Sequence, residues 1–439
     1  MNMKLRNIPF SPPDMTEAEA KEVREAILSG WITTGPRTKK LEQEISEFVH
    51  MDKTVCLNSA TAAMEMVLHL LGVGPGDEVI VPAYTYTATA SVVQHVGATI
   101  VFVDSQKDSV EMDYNQLEQA ITEKTKVIVP VDIAGIVADY DRVYEIVERK
   151  KGLFKASNAL QAKIGRIVVS ADCAHSFGAW KKVTQIPRIT QIDDVPQKVM
   201  AGAIADFSSF SFHAVKNFTT AEGGAMTWNL PFGNEAVPTD VDYMPTVPKK
   251  EGETWNELLY RLSQLFSLHG QNKDVLAKTK LGAWEYDIIG PWYKCNMTDI
   301  MAALGLVQME RYKGILERRY EIVRRYDEAL KDLPVAVLNH KDAEHCGSHH
   351  LYLVRLLGKT REDANKVIEQ MAERGIACNV HYKPLPMMTA YKALGFDIKN
   401  YPNAYHLFEN EITLPLHTKL SDEDVDYVIS NFVDIVKNL

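Results

Sequence analysis

From residue 54 to residue 229, short apolar runs alternate with helix-compatible segments, and this rhythm restricts the fold more than any other feature of the chain. The runs cover 54–57, 78–81, 99–103, 126–133, 166–171, 207–212 and 225–228. Most are rich in Val and Ile, as expected of parallel strands buried on both faces. Helical patterns fall near 60–71, 85–96, 113–121 and 139–150. The alternation predicts an open α/β sheet with helices on both faces. In such sheets ligands sit outside the carboxyl ends of the strands, so the polar residues just after each run matter most. Turn residues such as Gly72-Val73-Gly74-Pro75-Gly76-Asp77 support the boundaries.

The rest of the chain reads differently. Residues 181–203 and 229–290 carry scattered Pro, Gly and charge with weak periodicity, and are expected to be long excursions, either lids or subunit contacts. A long helix is expected from Asn296-Met297-Thr298-Asp299 to about 331, with Ile300, Leu304 and Val307 on one face. Beyond it, strands at 351–356 and 377–380 mix with helices at 361–374 and 421–436. With 439 residues the chain exceeds what one core normally holds, so two domains are expected, 1–310 and 311–439.

Composition excludes several classes of function. The formal net charge is −10, which disfavours sequence-independent nucleic-acid binding. An anionic ligand must therefore be held by local donors. The five cysteines, Cys56, Cys173, Cys295, Cys346 and Cys378, form no C-x-x-C pair and imply neither a disulfide framework nor a zinc site. The first residues lack the apolar stretch of a signal peptide, and the longest apolar run, 127–138, is interrupted by Asp132. A cytoplasmic protein with no membrane partner and no metal is expected.

Four strand ends carry residues with chemical potential. Asn58-Ser59-Ala60-Thr61-Ala62-Ala63 opens a helix, either as a plain cap or as a phosphate cradle on free amides. In Pro82-Ala83-Tyr84-Thr85-Tyr86-Thr87-Ala88-Thr89 an aromatic is either interior or stacked on a flat cofactor. After 166–171 comes Asp172, which either caps a turn or pairs with a cationic ring nitrogen. His175, three residues on, is either a satisfied half-buried histidine or a donor to the ring's phenolic oxygen. After 207–212 comes Lys216, a solvated loop lysine or, if desolvated, a nucleophile. All four lie on one predicted edge of the sheet, so they gain meaning together.

At these positions the chain resembles the DegT/DnrJ/EryC1/StrS sugar aminotransferases, members of the aspartate-aminotransferase group of fold type I. The resemblance runs from Trp31-Ile32-Thr33-Thr34-Gly35-Pro36 to Leu414-Pro415-Leu416. It is strongest in Gly74-Pro75-Gly76-Asp77-Glu78-Val79-Ile80-Val81-Pro82, Asp172-Cys173-Ala174-His175-Ser176-Phe177-Gly178-Ala179 and Ser209-Phe210-Ser211-Phe212-His213-Ala214-Val215-Lys216-Asn217. It implies a large domain with a mostly parallel seven-stranded sheet and a smaller C-terminal α/β domain. It also implies pyridoxal 5'-phosphate as cofactor, with pyridoxamine phosphate as its second form. Lys216 matches the Schiff-base lysine, Asp172 the partner of the pyridine nitrogen, and His175 the Gln or His beside the phenolic oxygen. Tyr86 matches the aromatic on the ring, and Ala60, Thr61 and Ser211 match phosphate contacts. In the family a neighbouring subunit completes the phosphate site, so a homodimer is implied. Lys294 stands where that subunit's residue is often Asn.

The implied reaction moves an amino group from L-glutamate to a keto group on a nucleotide-linked sugar. Amination at carbon 4 of a 4-keto-6-deoxy sugar, for a cell-surface polysaccharide or glycoconjugate, is the preferred form, because Met297-Thr298-Asp299 resembles 4-aminating relatives. His381, Tyr382, Trp31 and Thr34 are the candidates for sugar contact. Two alternatives compete. A dehydratase on the same scaffold carries histidine in place of the lysine, and Lys216 argues against it. A non-catalytic regulator would not need the intact lysine, carboxylate and phosphate cradle.

Overall fold

The computed structural model describes residues 6–184, 197–272 apart from positions 242, 245 and 249, and 285–439. Along the chain come strands β1 (Thr54–Leu57), β2 (Glu78–Pro82), β3 (Thr99–Val103), β4 (Thr125–Ile128), β5 (Val168–Asp172), β6 (Trp180–Val183), β7 (Gln197–Met200), β8 (Phe207–Ser211) and β9 (Gly224–Trp228). The order β1-β9-β8-β5-β4-β2-β3 forms a seven-stranded sheet in which β9 alone runs against the others. Successive side chains point to opposite faces, as the pleat requires. Val79 and Val81 enter one core cluster and Ile80 the other, and Val127 and Ile128 divide in the same way, as do Val168 and Val169. Burial on both faces explains why these runs read as continuous Val and Ile rather than as an alternation.

The expected strand over 126–133 is shorter in the structure. Regular pairing of β4 ends at Ile128. Pro130 has no N–H for a ladder, and its carbonyl accepts the Asp172 N–H at 2.9 Å. The chain then turns through Ile133–Gly135, where Ala134 is left-handed at φ 59°.

A second sheet, β10 (Val335–Val337), β12 (Tyr352–Leu356) and β13 (Glu411–Leu414), is antiparallel in the order β10-β12-β13. Helices Arg361–Glu373 and Asp422–Lys437 cover it. Helix Asp299–Leu330 joins the two bodies: Ala302, Leu306 and Ile315 sit in the large core, and Ile322, Val323 and Tyr326 in the small one. The expected boundary at 310 thus falls inside one continuous helix. Nor does the N-terminus stay with the large sheet. Ile8 is buried in the small core, its N–H bonds the Gly375 carbonyl at 2.8 Å, and its carbonyl takes the Ala377 N–H at 3.0 Å.

That strap explains a second difference. The expected strand at 377–380 reduces to the single bridge Asn379↔Thr413. Ala377 pairs with Ile8, and the Asn379 side chain takes the Val380 N–H at 2.8 Å, so no continuous ladder forms.

The stretch 229–290 is not wholly an excursion. Helix Trp255–Ser267, opened by a Thr254/Glu257 capping box, buries Trp255, Leu259, Leu262 and Phe266 in the large core. Within 181–203, β6 pairs with β7 and with β11 (His345–Cys346), which forms a third small sheet. The parts of these two stretches at 185–196 and 273–284 lie outside the described residues.

Candidate active site

The carboxyl ends of β1, β2, β5 and β8 open onto one cavity of about 350 Å³. Asp172, the last residue of β5, enters its floor with 5% exposure. Thr89 donates to Oδ2 at 2.7 Å and the Ala174 N–H to Oδ1 at 3.1 Å. Burial raises the Asp172 carboxyl above its ordinary value, while these two donors and the Lys216 charge oppose the rise. Lys216 faces the same space from a turn closed by its N–H on the His213 carbonyl at 2.9 Å. Burial lowers its amine to about 8, with Asp172 pulling the other way. A lysine held there is deprotonated far more often near neutral pH than a solvated one, as a nucleophile requires.

His175 completes this wall. Its Nδ1 accepts the Ala134 N–H at 3.2 Å, and its Nε2 lies 3.0 Å from the Tyr382 hydroxyl. A nitrogen that accepts an amide proton carries none itself, so the proton of the neutral ring is on Nε2. Burial, then the nearby Lys216 charge, keeps the ring well below the ordinary histidine range. His175 is therefore a neutral donor at its Nε2.

At another end of the cavity helix Ala60–Leu70 begins. Ser59 caps it through the Ala62 N–H at 3.0 Å. The Ala60 and Thr61 amides, at the first turn, have no acceptor within the helix and suit an anion. Ser59, Ala60, Thr61 and Ser211 all line the cavity. Gly224 lets this helix start lie directly on the sheet. A Cβ there would come 2.4 Å from Ser59 C, 2.5 Å from Ala60 N and 2.7 Å from Phe210 O, all of them backbone atoms. Gly224→Ala is expected to cost about 2 kcal/mol or more of stability and to loosen the cradle. Thermal unfolding and binding of inorganic phosphate measure the two effects.

Tyr86 also lines the cavity, 59% exposed, with its ring 6.0 Å from that of Tyr382. His381 and Tyr382 reach the cavity from the C-terminal part of the chain. Trp31, Thr34 and Lys294 lie outside its lining. Trp31 Nε1 donates to the Thr34 carbonyl at 3.1 Å, and the Thr34 hydroxyl donates to the Met297 carbonyl at 2.6 Å. Lys294 bonds Asn296, whose amide donates to the Thr34 hydroxyl. These three residues belong to one exposed-to-buried cluster beside the start of helix Asp299–Leu330.

Sequence reasoning missed four participants. Thr89 orients Asp172, the Ala134 amide orients His175, His350 places its ring 4.5 Å from that of His175, and Asn217 bonds His350 Nδ1 at 2.9 Å. A signal existed for Thr89, which follows β2 by less than two helical turns at the ligand edge. For His350 there was none, because it comes from a distant part of the chain.

The model of the DegT/DnrJ/EryC1/StrS aminotransferase family matches residues 13–433. The chain belongs to that family. Among solved structures, a protein of Streptococcus pneumoniae described as a sugar aminotransferase, Spr1654, is similar in its PMP form at 55% identity and a TM-score of 0.87, over 98% of this chain and 100% of that one. Its PLP form is 53% identical with a TM-score of 0.86, covering 99% of both chains. The spore coat polysaccharide biosynthesis protein SpsC of Bacillus subtilis is 33% identical over 98% of this chain and 97% of its own length. Helicobacter pylori PseC, an aminotransferase involved in pseudoaminic acid biosynthesis, is 25% identical with a TM-score of 0.78, over 99% of this chain and 100% of that one. The fold of this DegT/DnrJ/EryC1/StrS member is thus that of PLP-dependent aminotransferases, with the mainly parallel seven-stranded sheet that the resemblance implied. Among the described residues, no helix is long and apolar enough to cross a membrane.

Proposed function

We propose that this chain is a pyridoxal-phosphate aminotransferase that converts a nucleotide-linked keto-sugar into an amino sugar, with L-glutamate as donor. The observation that carries the reading is the placement of the Lys216 amine, the Asp172 carboxylate and the free amides of Ala60 and Thr61 around one cavity. A cation-accepting carboxylate, an amine of lowered basicity and an anion cradle are the donor set such a cofactor needs, and the residues present fit it. The similar Spr1654 protein, known in PLP and PMP forms, supports the same assignment. Pyridoxal 5'-phosphate is the cofactor, and pyridoxamine phosphate is its alternate form.

When bound, the cofactor supplies an electron sink through its protonated pyridine ring. Lys216 holds it through its amine. Once displaced by the incoming substrate, that amine removes the proton at the donor's α-carbon and returns one to the sugar carbon. Asp172, oriented by Thr89 and Ala174, keeps the proton at the ring nitrogen. His175 would donate from Nε2 to the phenolic oxygen, and Tyr86 would face the ring from the cavity wall. The Ala60 and Thr61 segment and Ser211 bind the phosphate, with Lys294 of a second copy of the chain completing that site in a homodimer. His381 and Tyr382 face the sugar.

The preferred product is a 4-amino-4,6-dideoxy sugar made in the cytoplasm for a surface polysaccharide or glycoconjugate. The likeness to SpsC, a polysaccharide biosynthesis protein, supports this setting. Purified protein offered a panel of keto-sugar nucleotides and glutamate is expected to aminate a 4-keto-6-deoxy member and release 2-oxoglutarate in equal amount, by ping-pong kinetics. Elimination of a sugar hydroxyl without transfer of nitrogen would instead identify a dehydratase, and the aminotransferase reading would fail.

A further inference from the structure

Behind the cavity-facing His381 lies a buried acid that the chemistry above leaves unused. Glu411 opens β13 and is 1% exposed. Its Oε2 accepts the His381 backbone N–H at 3.0 Å. Its Oε1 lies 2.5 Å from the Thr413 hydroxyl, and that hydroxyl lies 2.9 Å from His381 Nδ1. An unbroken line therefore runs from a buried carboxyl to an imidazole on the cavity wall. The Nε2 of that imidazole has no hydrogen-bond partner among the described residues.

The charged and titratable neighbours leave the line intact. Arg355, opposite Glu411 across β12 and β13, is committed to Asp108 and Asn410. Arg361 donates to the Phe408 and Glu411 carbonyls. Tyr84 donates to the His381 carbonyl at 2.6 Å. Cys378 and Tyr382 stand on the 377–382 side, and Lys216 faces His381 across the cavity. Burial pushes the Glu411 carboxyl up to about 8, against its two hydrogen bonds and the Arg361 charge, so it is protonated near neutral pH. Burial, then Lys216, pushes His381 down to about 3, so its ring is neutral and one nitrogen carries the proton.

The Thr413 hydroxyl has a single proton to give. If Glu411 is protonated it donates to Thr413, Thr413 donates to His381 Nδ1, and Nε2 keeps the ring proton. If Glu411 is ionised the line reverses, Nδ1–H donates to Thr413, and Nε2 becomes an acceptor. We propose that Glu411, acting through Thr413, fixes which ring nitrogen of His381 is protonated, so that Nε2–H is a donor to an oxygen of the sugar. Glu411 and Thr413 are positioning residues in this scheme, which rests on the aminotransferase reading of the cavity.

The test uses the cofactor-loaded protein with isotopically labelled histidine rings, read by NMR. The His381 signal is assigned by its loss in His381→Gln. In the wild type the ring proton is expected on Nε2 at about pH 6 and on Nδ1 by about pH 10. In Glu411→Gln the amide donates to Thr413 at every pH, so the proton stays on Nε2. The KM for the keto-sugar is expected to rise about tenfold over the same pH range in the wild type but not in Glu411→Gln. Thr413→Val, which keeps the shape, abolishes the switch. A His381 ring whose proton never moves in the wild type, or moves equally in Glu411→Gln, overturns the proposal. The ring proton is read without sugar, so the two readings fail separately: a protein that switches but aminates no keto-sugar keeps the relay and overturns the function.

Discussion

Lys216→Ala is expected to lower amination turnover by about 10⁴-fold or more, because in the proposed mechanism one amine both holds the cofactor and moves the substrate proton. No other described lysine lines the cavity, and a water molecule in the space left behind has neither the basicity nor the covalent bond. The variant should still bind the cofactor through the Ala60–Thr61 cradle and Asp172, but should lose the visible band of the lysine-bound form. Lys216→Arg separates charge from chemistry. It restores a cation beside Asp172, but a guanidinium stays protonated and does not serve as the base, so activity remains lost. Small primary amines added to Lys216→Ala should recover part of the proton transfer. Single-turnover kinetics with glutamate measure all three effects. A Lys216→Ala protein that turned over at the normal rate would remove the amine from the mechanism.

The second largest effect is expected from Asp172→Asn, at about 10³-fold in turnover. Asn keeps the size of the side chain and can still take the Thr89 hydrogen bond. It loses the negative charge that, in the proposed mechanism, would hold a proton on the cofactor's ring nitrogen, and with it the electron demand of that ring. Burial already opposes the charge on this residue. Burial raises the Asp172 carboxyl, and Lys216 restrains the rise. A cation arriving in the cavity favours the ionised form, so carboxylate and protonated ring stabilise each other. Asp172→Glu keeps the charge and should retain more activity than Asp172→Asn. If the two variants were equally impaired, the shape of the residue rather than its charge would be the cause. Comparing their rates with their retained cofactor distinguishes the outcomes.

Much of the large sheet was legible because β2, β4 and β5 are buried on both faces and carry Val79-Ile80-Val81, Val127-Ile128 and Val168-Val169. Where the pattern misled, a single backbone property was responsible. The apolar run after Lys126 looks like one long strand, yet Pro130 interrupts its ladder and the chain turns at Ala134. Trp255, Leu259 and Leu262 are spaced as a helix face, but the Pro and Gly around them hid a core element inside an apparent excursion. The residues at strand ends, Asp172 and Lys216, could be read because position along a parallel strand predicts the ligand edge. His350, Glu411 and Thr413 could not, since their roles depend on contacts between segments far apart in the chain. No local spacing encodes the line from Glu411 to His381.

The stretch 6–11 precedes the first residue of the family pattern, at 13. It also forms part of the chamber's frame: Phe10 stacks on the His381 ring at 5.6 Å, Ser11 Oγ donates to the Val215 carbonyl beside Lys216, and His417 holds the Pro9 carbonyl. Cutting the chain at residue 13, where the family pattern starts, would spare every strand of the large sheet. It would also take Ile8 from the small core and unfasten the wall next to the reactive amine. These six residues act as a buckle: a protein trimmed of them keeps its sheets while losing the alignment of its two halves.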